Sequence, residues 1–163
     1  MERSSSKIYQ TCLNLITGND FMKANELFIK SYYEHPEGIE LLLGAVISFI
    51  LLGKNYNCSV FLKKETEVSP FHAEVILLLN FLELNKYFSG FKPQSAIFNI
   101  GLFLYKNKFY DEAVLLFDAC LTLEPGHAKC LILKSEYEIL KNQNLANGIM
   151  YLTMASATLG KTG

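Results

Sequence analysis

The sequence predicts an all-α protein built as an array of helical hairpins, and two observations carry that reading. A small residue, an aromatic, a second small residue and a proline recur at one spacing. They are Ala113, Phe117, Cys120 and Pro125 in YDEAVLLFDACLTLEP, and Ala24, Phe28, Ser31 and Pro36 nearer the start. In addition, the boundary prolines Pro36 and Pro70 stand 34 residues apart, with Cys58 and Leu62 where the first unit has Ala24 and Phe28. Offsets of four and then three residues put Ala113, Phe117 and Cys120 on one side of a helix. The small residues let a neighbouring helix come close, the aromatic fills the gap, and proline cannot continue the helix. Each such stretch is therefore the second helix of a packed pair.

Taken in order, unit one covers residues 5–38, with Tyr9, Leu13 and Ile16 on one side of its first helix. Unit two covers 39–72 and opens with LLLGAVISFILL, Leu41–Leu52. That run is shorter than the roughly 20 apolar residues of a membrane span. It is apolar on nearly all sides and reads as a helix buried on two fronts. Residues 73–93 form a half-repeat: Ala73–Phe88 fit a first helix, but SGFKP follows where a second should begin. Unit 94–127 is the best formed, with Ile97, Ile100, Gly101 and Leu104 on its first helix and Gly101 where the helices cross. The last unit, 128–161, carries Leu131 and Ser135, then Gly148, Leu152 and Ala155, and needs one extra residue between its helices. The chain, 1–163, is expected to form one domain of about nine helices with one interrupted repeat.

The unit Gln94–His127 resembles the tetratricopeptide repeat (TPR) pattern W-x2-L-G-x2-Y…Y-x2-A-x3-F-x2-A-x4-P. Ile97 stands for the tryptophan and Cys120 for the last alanine. Ala24, Phe28, Pro36, Gly101, Ala113, Phe117 and Pro125 take the structural positions of the pattern. The resemblance implies a solenoid that binds protein in a concave groove lined by the first helix of each unit. Registered on the Gln94 unit, the groove residues are Tyr9, Leu13 and Ile16, then Leu43, Ile47 and Ile50. Leu77 and Phe81 follow from the half-repeat, and Phe98, Leu102 and Tyr105 from the strong unit. They are apolar or aromatic, so the lysine and asparagine clamp by which co-chaperone TPR domains hold a carboxylate is not expected. A stripe of this size needs a cover: an amphipathic helix, an extended apolar peptide or another copy of the chain. A register shift of one residue turns a helix face by about 100° and makes the same residues core.

The order of units narrows the resemblance. Two hairpins, a lone helix, an interruption and a strong repeat are similar to the N-terminal domain of the TPR cell-division-cycle subunits of the anaphase-promoting complex. The similarity is greatest to the Cdc-twenty-seven type, and Ile8–Leu15 and Gly53–Pro70 resemble its opening helix and second hairpin. This implies a homodimerisation module of a cell-cycle ubiquitin ligase subunit, with the first helix of one chain in the groove of the other. These 163 residues hold no counterpart of the long C-terminal superhelix of that family. The same groove also suits a TPR-class type III secretion chaperone holding an apolar translocator segment. On either view Leu43→Glu or Phe81→Glu is expected to break the assembly and spare the helices.

Other functions find little support. A net charge of −1 and a single arginine, Arg3, argue against a nucleic-acid surface. The polar start MERSSSK has no signal-peptide core, so an intracellular protein of nucleus or cytoplasm is expected. Four cysteines without C-x-x-C spacing read as buried, reduced thiols. His35, His72 and His127 flank unit boundaries, where turn and capping roles are expected. His127, Cys120 and Cys130 are a conceivable metal set, but H-x2-C alone is a weak signal, so no metal is expected. LGKTG lacks the first glycine of a phosphate loop, and Asn57-Cys58-Ser59 matches a glycosylation sequon by chance. Asp111, Glu112, Glu136 and Glu138 have no partner for acid–base work. The expectation is a non-enzyme without cofactor or small-molecule substrate. Its partners are itself and other protein subunits, with no membrane.

Overall fold

The computed structural model describes residues 4–84 and 90–162, with side chains for 6–84 and 90–160. Nine helices lie among the described residues, and no strand. They are α1 (Ser4–Thr17), α2 (Phe21–Glu34), α3 (Ile39–Leu51), α4 (Asn55–Val68), α5 (Ala73–Phe81), α6 (Pro93–Lys106), α7 (Tyr110–Leu123), α8 (Ala128–Leu140) and α9 (Leu145–Thr162). The architecture is a TPR-like array of hairpins: α1–α2, α3–α4, α6–α7 and α8–α9, with α5 between the second and third pairs.

The turn inside each hairpin is closed by one left-handed residue: Asn19, Gly53, Lys108 and Gln143. In the first three the next amide donates five residues back, from Asp20 to Leu15 O, Lys54 to Phe49 O and Phe109 to Leu104 O, at 2.8 to 2.9 Å. This is the Schellman closure, which satisfies carbonyls that the helix end leaves free. Asn19, Gly53 and Lys108 share one position in the repeat, and Gln143 falls one later, which is the extra residue expected in the last unit. Between units the histidines act as caps. The His35 amide closes α2 on Ser31 O, His72 Nε2 donates to Glu37 O at 2.8 Å, and His127 Nδ1 accepts from the Cys130 amide at 3.3 Å.

The half-repeat departs from expectation. Helix α5 stops at Phe81 rather than running to Phe88. Glu83 takes the left-handed conformation about one helical turn earlier than in the other units. The Asn80 side chain, donating to Ile76 O, Leu62 O and Thr66 Oγ1, ties this last turn back to α4. What replaces the missing second helix falls on residues 85–89, which lie outside the described residues.

Packing starts from the small residues. The Phe28 ring of α2 lies on Gly44 of α3, where any Cβ would overlap it. Phe117 of α7 sits on Gly101 of α6 in the same way, 2.8 Å from where a Cβ would stand. All ten residues from Leu41 to Ile50 are buried, as an all-round apolar helix requires. Helix α3 reaches this state because α1, α2, α4, α6 and α7 all pack around it. The array therefore curls: α7, from the strong unit, lies against both α1 and α3. Tyr9 Oη donates to Leu115 O across that junction at 3.4 Å.

Several buried polar groups are paired across helices. Asn25 Nδ2 donates to Ser48 Oγ at 2.9 Å between α2 and α3. Glu65 of α4 accepts from Tyr32 Oη at 2.9 Å and Tyr33 Oη at 3.3 Å. Burial pushes the Tyr32 phenol up to about 12, with Ser69 pulling it down and Glu65 raising it.

Two outcomes follow from this packing. Gly44→Ala should lower stability by about 1–3 kcal/mol through overpacking against Phe28. A change within about 0.5 kcal/mol in urea denaturation would contradict the close approach. Raising the pH from about 9 to about 11 should destabilise the fold, because the unfolded chain loses its Tyr32 proton near 10.0 while the native one keeps it to about 12. Tyr32→Phe should lose part of that pH dependence of the urea midpoint.

Candidate interaction surface

The expected groove residues separate into three groups. Tyr9, Ile16, Leu43, Ile47, Ile50 and Phe98 are buried in the core. Leu13, Leu102 and Tyr105 are half-buried. Leu77 and Phe81 are 55% and 76% exposed. The structural positions Ala24, Phe28, Gly101, Ala113 and Phe117 are buried, and Pro36 and Pro125 stand in the turns after α2 and α7. The cause of the burial is the curl. The α1–α3 face that an open solenoid would offer to a partner is covered by α7 of the same chain. The Leu43→Glu expectation is corrected accordingly: Leu43 has no exposed surface, so a carboxylate there attacks the core rather than an assembly.

Two of the apolar faces left open among the described residues stand out. One is the edge of α5 and α6. Phe81 projects from the last turn of α5, and its ring stacks on Phe103 of α6 with centroids 6.5 Å apart and planes 13° from parallel. Leu77, one turn earlier, extends the same face. The adjacent Asn80 ties α5 to α4, so Phe81 stands on a braced helix rather than a loose end. The other is the outer face of α9, where Leu145, Ile149 and Leu152 follow helical spacing and are 61%, 53% and 44% exposed. The inner face of α9 is fastened to α8 by Gly148, whose missing Cβ gives Ile139 its place, and by Ser135 Oγ donating to Gly148 O at 2.8 Å. Lys134 adds an ion pair with Asp118 and a hydrogen bond to Tyr151 Oη at 3.1 Å, joining α7, α8 and α9. Burial pulls the Lys134 ammonium down, but Asp118 and Tyr151 outweigh it and leave the pKa raised. No described helix is long and apolar enough to cross a membrane.

Sequence reasoning named one further grouping and set it aside as a weak signal. Cys120 of α7, His127 at the start of α8 and Cys130 in its first turn bring their donor atoms within 4.8 Å of one another. All four cysteines are free and buried. Burial raises the Cys12 thiol to about 12. Cys120 and Cys130 differ because they touch: the hydrogen bond between them lowers Cys120 and raises Cys130. The H-x2-C spacing with Cys120 was the available signal, and it did not reveal that the three donors converge.

No protein-family model matches the chain. No curated protein matches it by sequence. Among solved structures it is similar to "MamA MSR-1 C2", at 15% identity over 99% of this chain and 80% of that one, with a TM-score of 0.40. It is also similar to "Crystal structure of MamA", at 16% identity over 99% and 98%, with a TM-score of 0.42. Likenesses of this depth do not bear on what the chain binds.

The two substitutions now part company. Leu43→Glu should collapse the far-ultraviolet helical signal, because it buries an unpaired charge in α3. Phe81→Glu should leave that signal close to wild type. Equal loss of structure in both would contradict the exposure of Phe81.

Proposed function

We propose that the chain is a protein–protein interaction scaffold that associates with a second copy of itself through the α5–α6 edge. The observation that carries this reading is Phe81, exposed by 76% on a braced helix and stacked on Phe103. An aromatic pair held rigid in water is the type of anchor that dominates protein interfaces. The edge can pair with itself about a two-fold axis, the commonest symmetry of homo-oligomers. The helical hairpins around it supply shape, and the mechanism is passive burial of apolar surface.

In finer terms, the reading is of a homodimerisation module of an anaphase-promoting-complex-type ubiquitin ligase subunit in the cell cycle, with other subunits as further partners. It rests on the order of units and on the similarity of Ile8–Leu15 and Gly53–Pro70 to that family. One feature of the family's dimer is altered in this proposal. Tyr9 and Ile16 are buried within the chain itself, so the contact runs over α5 and α6 rather than by exchange of α1. A secretion chaperone holding an apolar client along α1 and α3 would need that face free, and α7 covers it.

Light scattering on the purified chain at micromolar concentration tests the proposal. The wild type should show the mass of a dimer and Phe81→Glu that of a monomer with unchanged helical content. A monomeric wild type, or a folded Phe81→Glu that stays dimeric, would overturn it.

A further inference from the structure

We infer that the corner between α7 and α8 is a binding site for one thiophilic cation, Zn2+ in the first instance, held by Cys120, His127 and Cys130. The donors converge without help from any loop rearrangement. Their three ligand atoms lie within 4.8 Å of one another. Around a tetrahedral zinc, with bonds of about 2.3 Å to sulfur and about 2.0 Å to nitrogen, such atoms stand roughly 3.5–3.8 Å apart. Side-chain rotations of an ångström or less close that difference. Cys120 belongs to the last turns of α7 and Cys130 to the first turn of α8, so both sulfurs are mounted on helix ends. The imidazole is held at the α8 N-cap and packs against the Phe98 ring, centroid to centroid 4.9 Å.

The repeat accounts for only part of this grouping. It calls for a small residue at Cys12, Cys58 and Cys120, but at Cys130 it does not, and His127 adds a nitrogen donor to the pair. Both sulfurs are wholly buried, whereas His127 is half-buried and faces an open cleft of about 550 Å³ lined also by Phe98, Glu124 and Thr158. That cleft is the way in, and it leaves room for water as a fourth ligand, as in zinc sites with three protein ligands. Glu124 adds negative potential felt by both thiols. On binding, each thiol gives its proton to solvent, two metal–sulfur bonds and one metal–nitrogen bond form, and nothing is oxidised. The soft sulfur pair selects Zn2+, Co2+ or Cd2+ over Mg2+ and Ca2+. The bound ion would pin the strong repeat to the last one, independently of any association at α5 and α6.

The test uses the reduced full chain and Co2+ as probe. The wild type should develop a thiolate-to-cobalt charge-transfer band that saturates at one equivalent and is bleached by stoichiometric Zn2+. Cys120→Ser and Cys130→Ser should each abolish the band. His127→Gln, at a half-buried cap and expected to fold, should weaken Co2+ by about tenfold or more. Cys12→Ala and Cys58→Ala should keep the band. No band in the folded, reduced wild type would overturn the inference without recourse to any variant. So would a band that survives in Cys120→Ser or Cys130→Ser, or unchanged affinity in His127→Gln.

Discussion

The structure depends on a helix that cannot face water on any side. Ten consecutive buried residues of α3, Leu41–Ile50, leave it no polar stripe, so every flank needs a neighbour. Fully burying side chains of this kind is worth about 1.5–3 kcal/mol each. The covering helices come from both ends of the chain: α1, α2 and α4 from the flanking units, α6 and α7 from beyond the half-repeat. Gly44 makes the closest of these approaches possible by giving its Cβ space to Phe28. Tyr9 then bridges the halves, with its ring against Phe28 at 6.0 Å and its hydroxyl on Leu115 O.

Much of the fold was legible in local spacing. The small–aromatic pairs located the hairpins, the prolines located their ends, and the histidines proved to be caps. These are short-range signals, decided within one or two helical turns. The identity of the cover was not legible. Tyr9 and Leu115 are 106 residues apart, and an apolar residue that lines a groove is chemically the same as one that lines a core. Only the path of the chain between the second and third hairpins distinguishes them. That path turns on the early end of α5, which no glycine or proline announces, since Glu83 supplies the left-handed residue. Leu77 and Phe81 were visible as groove positions and remain open at the α5–α6 edge.

The same curl shapes the proposed function. By covering α1 and α3 from within, the chain removes the largest apolar surface that an open solenoid would present. What is left for partners is displaced to its margins: the Phe81–Phe103 edge, the outer face of α9 and the α7–α8 corner. These margins are stiff. Asn80 braces α5, and Lys134 with Asp118 and Tyr151 locks the last hairpin to the strong one. On the proposed reading, a chain that keeps its core to itself can gain and lose partners without refolding.

Hydrogen–deuterium exchange on the chain, diluted until light scattering gives a monomer, tests internal coverage of α3 most directly. The account predicts that the α3 amides stay among the slowest to exchange at that dilution, with those of α7 beside them. Rapid exchange of α3 in the monomer, slowed only when the chain associates, would contradict it and return the α1–α3 face to a partner.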